Sequence, residues 1–190
     1  AKAKLTVGKK VIDTNKVNLK TSFVYTGSEQ KIELAYGEEL PEGLKIIDFG
    51  KGRTNKGITV ATVKFGVTDA DKYVATPANI NYNLEITQAT IEIDETWFDK
   101  EFTYDGKEHK VSLKQGKELP IEVKIKDNGQ GLTNVGTTKV TVKFGYVDKI
   151  EGQNVVYENH ALPNDIEMEL KINKAPALSL TEEQKAINGK

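Results

Sequence analysis

FVYTGSEQKI (residues 23–32) and FTYDGKEHKV (residues 102–111) are one ten-residue phrase written twice. Phe23 matches Phe102, Tyr25 matches Tyr104, Gly27 matches Gly106, Glu29 matches Glu108 and Lys31 matches Lys110. Read alone, the second phrase gathers Asp105, Glu108 and His109 around a glycine and suggests an acid–base group. General acid–base work needs such groups within hydrogen-bond reach in a concave, water-poor pocket. The first phrase answers with Thr26, Glu29 and Gln30, which cannot move protons in the same way. A turn accounts for both copies: glycine takes a positive φ, and Asp or Thr offers a side-chain oxygen to the turn backbone.

The match runs well past the phrase. A shift of 79 positions aligns residues 23–66 with 102–145 without a gap, and 24 of the 44 pairs are identical. GEELP (37–41) meets GKELP (116–120), and TVKFG recurs at 62–66 and 141–145. Beyond this block the shift becomes 86, where NLEITQA (83–89) stands against ELKINKA (169–175), so copy two carries seven extra residues between Gly145 and Met168. At the front, AKLTV (3–7) stands against ATIEI (89–93) at the same shift of 86. The chain is thus read as one repeat over 1–88 and a second over 89–175, with 176–190, opening PALSL, as the start of a third repeat or a disordered tail. A unit of about 86 residues is a small domain with its own core, larger than one turn of a solenoid.

Each copy reads as strands. Ile32, Leu34 and Tyr36 alternate with Lys31, Glu33 and Ala35, and Val111 and Leu113 repeat the phase. Ala61, Val63 and Phe65 share a face, as do Val140, Val142 and Phe144, while Lys64 and Lys143 point the other way. Tyr82, Leu84 and Ile86 are matched by Met168, Leu170 and Ile172; Leu44 with Ile46 and Val123 with Ile125 add another inward pair. Gly, Asn and Pro separate these runs, and no stretch before the tail keeps a helical period for three turns. Six or seven short strands per copy, half charged and half apolar, predict an all-β chain of two tandem immunoglobulin-like antiparallel β-sandwich domains.

Composition excludes several function classes. Lys and Arg total 27 against 28 Asp and Glu, so the net charge of −1 supplies no drive toward nucleic acid or an anionic membrane. With no cysteine there is no disulfide, thiolate metal site or cysteine nucleophile. No apolar run is long enough to span a bilayer, and no signal-peptide pattern opens the chain, which begins at Ala1 and reads as a piece of something longer. Charged residues along the strands argue against edge pairing and for a monomer.

The order F-x-Y-D/T-G-x-x-x-K, G-x-E-L-P, D-x-G-x-G-x-T-N-x-G-x-T, TVKF and a closing I-x-K/Q-A resembles the YDG and MBG-type repeats of large bacterial surface proteins. The resemblance spans both copies. It implies an extracellular, cell-surface attached multidomain protein, a stalk or adhesin of the cell wall whose partners include neighbouring repeats, with no catalytic residues and no cofactor to carry over. Copy one departs from the pattern at Thr26 and Gln30, and neither copy has an aromatic after its Asn-x-Gly turn.

Other candidates are weaker. Asp69 with Asp71, and Asp148 with Glu151, offer two carboxylates each, too few to specify calcium, and two distant histidines do not make a zinc site. GKGRTNKG (50–57) lacks the helix that a phosphate cradle needs, and its partner GQGLTNVG (129–136) loses Lys51 and Arg53. An intramolecular Lys–Asn amide requires a buried lysine, whereas the inward positions are apolar. Trp97 and Phe98 are expected in packing contacts. The largest asymmetry is YVDKIEGQNVVYENHALPND (146–165) against VTDADKYVATPANI in copy one. In this loop Tyr146, Tyr157 and His160 form the candidate ligand-binding set, for a glycan or a host protein; the competing reading is a hairpin extension packed on its own domain or on the domain boundary.

Overall fold

The structure, a computed structural model, describes residues 7–177; the expected tail at 178–190 and residues 3–6 of the AKLTV segment lie outside the described residues. The chain is all-β, with no α-helix among the described residues. It divides into two compact units, Ala1–Thr90 with Glu151–Ala161, and Ile91–Ile150 with Leu162–Lys190.

Unit 1 contains β1 (Lys10–Asp13), β2 (Leu19–Lys20), β3 (Ser22–Val24), β4 (Glu33–Leu34), β5 (Leu44–Asp48), β6 (Gly57–Val67), β7 (Tyr73–Thr76) and β8 (Asn79–Thr87). A four-stranded sheet runs in the order β3-β8-β6-β5, beside the two-stranded pairs β2-β4 and β1-β7. The sheets are mixed, where the alternation predicts antiparallel pairing. β5-β6, β6-β8 and β2-β4 are antiparallel, but β3-β8 and β1-β7 are parallel. A parallel pair needs a long crossover, and nearly the whole unit lies between β3 and β8 to supply it.

The alternation places the core. Ala61, Val63 and Phe65 of β6, Leu84 and Ile86 of β8 and Leu44 of β5 bury one face of the four-stranded sheet. Ile12, Val17 and Ile32 meet them, with Leu19, Leu34 and Tyr73 packed alongside. Two layers around one core are consistent with a β-sandwich. Tyr36 leaves the expected face and is fully exposed. The chain turns there, with Glu38 donating its N–H to the Ala35 carbonyl at 3.0 Å, so the strand ends before the third alternating residue.

Unit 2 contains β9 (Phe98–Asp99), β10 (Glu101–Thr103), β11 (Ser112–Leu113), β12 (Val123–Asp127), β13 (Gly136–Tyr146) and β14 (Ile166–Asn173). Its four-stranded sheet, β10-β14-β13-β12, and its pair β11-β9 repeat unit 1 strand for strand. The repetition extends to the irregularities. The register shift after Ile46 on β5 recurs after Ile125 on β12, and Asp48 and Asp127 each accept the N–H two residues on at 2.8 Å. Phe98, Val111, Val123, Val140, Val142, Phe144, Met168 and Leu170 form a second core. Trp97 packs against it, and the Lys117 ammonium lies 4.6 Å from the Trp97 ring centroid. Unit 2 has no described pair equivalent to β1-β7: Ile91 and Ile93 pack on the core from an irregular segment.

Candidate functional site

The repeated phrase is a turn in both units. Gly27 and Gly106 sit at φ of +84° and +80°, where a side chain is strained. Asp105 Oδ1 accepts the Lys107 N–H at 2.9 Å and meets His109 Nε2 at 2.8 Å; in unit 1 Gln30 Nε2 donates to the Val24 carbonyl at 3.0 Å and to Thr26 Oγ1 at 3.3 Å. The Lys107 amide first, and His109 after it, hold the Asp105 carboxyl below its ordinary value. His109 also stacks on Phe102 with ring centroids 4.6 Å apart. Each turn is pinned by a bridge to its TN-x-G loop, Gln30 to Arg53 and His109 to Leu132. His109 and Gln30 therefore do equivalent structural work.

One carboxylate of each acidic pair is engaged within its own unit. Asp69 Oδ1 accepts from the Asp71 amide at 3.0 Å, and its other oxygen lies 3.1 Å from Lys72 Nζ. Asp148 meets Lys124 Nζ at 3.0 Å. Among the described residues no group of three or more His, Asp or Glu side chains is placed to hold a metal ion. No described helix is long and apolar enough to cross a membrane. Two shallow grooves carry mixed charge: about 590 Å³ in unit 1 between Lys20, Phe23 and Glu33, and about 460 Å³ in unit 2 between Glu95, Lys100 and Glu167.

The most developed polar constellation involves the long loop of copy two. Its residues 151–161 belong to unit 1, although the sequence around them belongs to the second repeat. The segment adds one parallel bridge beyond the end of β8: Ala89 donates its N–H to the Asn159 carbonyl at 2.9 Å, and Ala161 donates to the Ala89 carbonyl at 2.8 Å. Asn159 is buried and uses both ends of its amide, Oδ1 accepting the Lys56 N–H at 2.8 Å and Nδ2 donating to Asn55 Oδ1 at 3.1 Å. Gln88 Nε2 donates to the Glu158 carbonyl at 3.0 Å, and the His160 ring meets the Tyr25 ring edge-on at 5.2 Å.

The receiving loop is itself braced. Arg53 donates from Nε to the Asn55 carbonyl and from a terminal nitrogen to the Lys56 carbonyl, both at 2.7 Å, and so holds the turn that presents the Lys56 amide. The buried Asn159 matters most energetically. Leaving its partners unsatisfied costs about 1–3 kcal/mol, whereas the half-exposed Lys56–Glu158 pair at 3.4 Å contributes about 0–1 kcal/mol.

The three sequence candidates separate. Tyr146 ends β13, pairs with Val123 and packs on the core of unit 2. His160 lies in the bridge to Ala89 in unit 1. Tyr157, also in unit 1, is 37% exposed and lines a cleft of about 370 Å³ with Asn55, Gln153, Asn154 and Val155. Sequence reading missed Asn159, Asn55 and Gln88. Asn55 repeats as Asn134 but reads as an ordinary turn residue, and only its double occurrence was a signal. No protein-family model, curated protein or solved structure matches the chain.

Proposed function

We propose that the chain is a pair of tandem immunoglobulin-like β-sandwich repeats from the stalk of a bacterial cell-surface protein. They act as structural spacers that support an adhesive region and perform no catalysis. The observation that supports this reading is the kind of residue the duplication keeps. Core positions, strand register, turn glycines and the turn carboxylates Asp48 and Asp127 recur in both units, while the groups that could have formed a site do not: Asp105 and His109 face Thr26 and Gln30, and Lys51 and Arg53 face Gln130 and Leu132. A duplication that preserves packing and lets chemistry drift suits a spacer. The resemblance of the motif order to YDG and MBG-type repeats supports a cell-surface location for such spacers. Antibodies to this chain should label intact cells of the source bacterium, and external protease should remove the signal. Labelling only after permeabilisation overturns the reading.

The alternative is an adhesion module that binds glycan or host protein through the 146–165 loop. The observation that favours it is exposed apolar surface, since Val155 is 55% exposed beside Tyr157 and its cleft. Glycan arrays and matrix-protein panels with the whole chain separate the two. Binding that Tyr157→Ala abolishes supports adhesion, and no binding supports the spacer.

A further inference from the structure

Unit 2 repeats the surface on which unit 1 holds residues 151–161. In unit 1 that surface consists of Tyr25, Asn55, the Lys56 amide, Gln88 and Ala89. The matching positions in unit 2 are Tyr104, Asn134, Val135, Lys174 and Ala175. Tyrosine, asparagine and alanine are unchanged. A backbone amide stands at Val135 as at Lys56, and Lys174 keeps a side-chain donor where Gln88 has one.

The backbone beneath is also the same. Tyr25 donates its N–H to Thr87 at 2.9 Å, and Tyr104 donates to Asn173 at 2.9 Å, so the chain leaves both sheets along the same line toward Ala89 or Ala175. Gly57 pairs with Ile86 and Gly136 with Ile172, which sets the Asn55 and Asn134 loops at the same end of their sheets. Exposure differs. Tyr25, Asn55, Lys56 and Ala89 are half-buried, whereas Tyr104 is 43% exposed, Val135 is 46% exposed, and Asn134 and Ala175 are exposed.

We propose that this surface of unit 2 is an acceptor site for an extended Glu-Asn-His-Ala segment, supplied by the corresponding loop of a following repeat. The proposal rests on the tandem-repeat reading. Its occupant is defined by what unit 1 accepts: an asparagine amide that bonds the loop amide and Asn134 together, flanking backbone that bridges Ala175, and a histidine ring set edge-on to Tyr104. One difference weakens the site. Leu132 replaces Arg53, so the 134–135 turn lacks the guanidinium brace and the segment binds less tightly than its counterpart in unit 1.

The test titrates the isotope-labelled whole chain with a peptide of residues 151–161, followed by amide chemical shifts. The expected result is a saturable shift at Val135 and Ala175. The Lys56 amide should not move, because the tethered segment there has the advantage of high effective concentration. Replacing asparagine in the peptide (Asn159→Ala) should weaken binding about tenfold, the size of one lost buried amide contact, and Asn134→Ala in the chain should do the same. No saturable shift at Val135 and Ala175, or equal binding of the two peptides, overturns the site. Cell labelling judges the surface reading separately: peptide binding without surface exposure sinks the stalk and leaves the site, and surface exposure without peptide binding sinks the site alone.

Discussion

The stretch after β6 and the stretch after β13 begin alike, but the first stays in its own unit whereas the middle of the second belongs to the other. Both start with the same backbone bond, Thr68 to the Gly43 carbonyl at 2.9 Å and Val147 to the Glu122 carbonyl at 2.8 Å. In unit 1 the chain then turns through Asp69 and returns as β7, which pairs with β1 in register from Lys10–Tyr73 to Asp13–Thr76. In copy two it is seven residues longer, and its middle, 151–161, is part of unit 1. The difference reaches back into the shared framework. Gly43 has φ of +85°, and a Cβ there would lie 2.7 Å from the Tyr73 ring of β7. Among the described residues unit 2 has no counterpart of β7, and the residue matching Gly43 is the buried Glu122 at ordinary φ. An insertion in one loop thus comes with a lost strand pair and a changed residue beneath it, while the β3-β8-β6-β5 frame stays constant.

Truncating that constant frame should have the largest effect. Leu84 and Leu170 are matched and fully buried, one in each core. Leu84→Ala and Leu170→Ala should each lose about 2–5 kcal/mol. Amide exchange resolves where the loss falls, and each variant should lower protection mainly in its own core. Equal loss in both cores from either variant would break the picture of two separate cores.

An exchange at the variable position comes next. Gly43→Glu should destabilise unit 1 by about 2–4 kcal/mol, from overpacking against Tyr73 together with a strained φ. In a Tyr73→Ala background the penalty should shrink toward the backbone part, about 1 kcal/mol. An unchanged penalty in that background would mean that β7 is not what requires glycine.

The smallest effect concerns pH and separates the two turns. Asp105 is held below its usual carboxylate value by the Lys107 amide and then by His109, and Thr26 in the other turn does not titrate. A carboxyl whose folded value is depressed stabilises the fold above its unfolded value and loses that contribution as pH falls through the folded one. Urea midpoints should therefore drop below about pH 4, and Asp105→Asn, which still accepts the Lys107 N–H, should flatten part of the slope. Asp48 and Asp94, depressed chiefly by the Gly50 amide and the Thr96 hydroxyl, add to the same acid limb, so the slope should persist in part. Identical slopes for wild type and Asp105→Asn would assign the acid limb to those other carboxylates.

Much of this architecture could be read from residues alone, because the information was local and stated twice. Val63 and Val142, or Leu84 and Leu170, alternate with charged neighbours at the strand period, and a side chain's face follows directly from that period. The all-β class, both cores and the turn at Gly27 and Gly106 follow from it. The residues that gather around Asn159 had no such signal. Its two partners lie 103 and 104 positions away, polar side chains carry no periodicity, and nothing local distinguishes Asn159 from any other loop asparagine. The parallel pairing of β1 with β7 is equally non-local, since it depends on a crossover through the whole unit. Alternation along the chain chose which faces are buried; only the folded backbone, by bringing distant donors and acceptors within 3 Å, assigned residues 151–161 to unit 1.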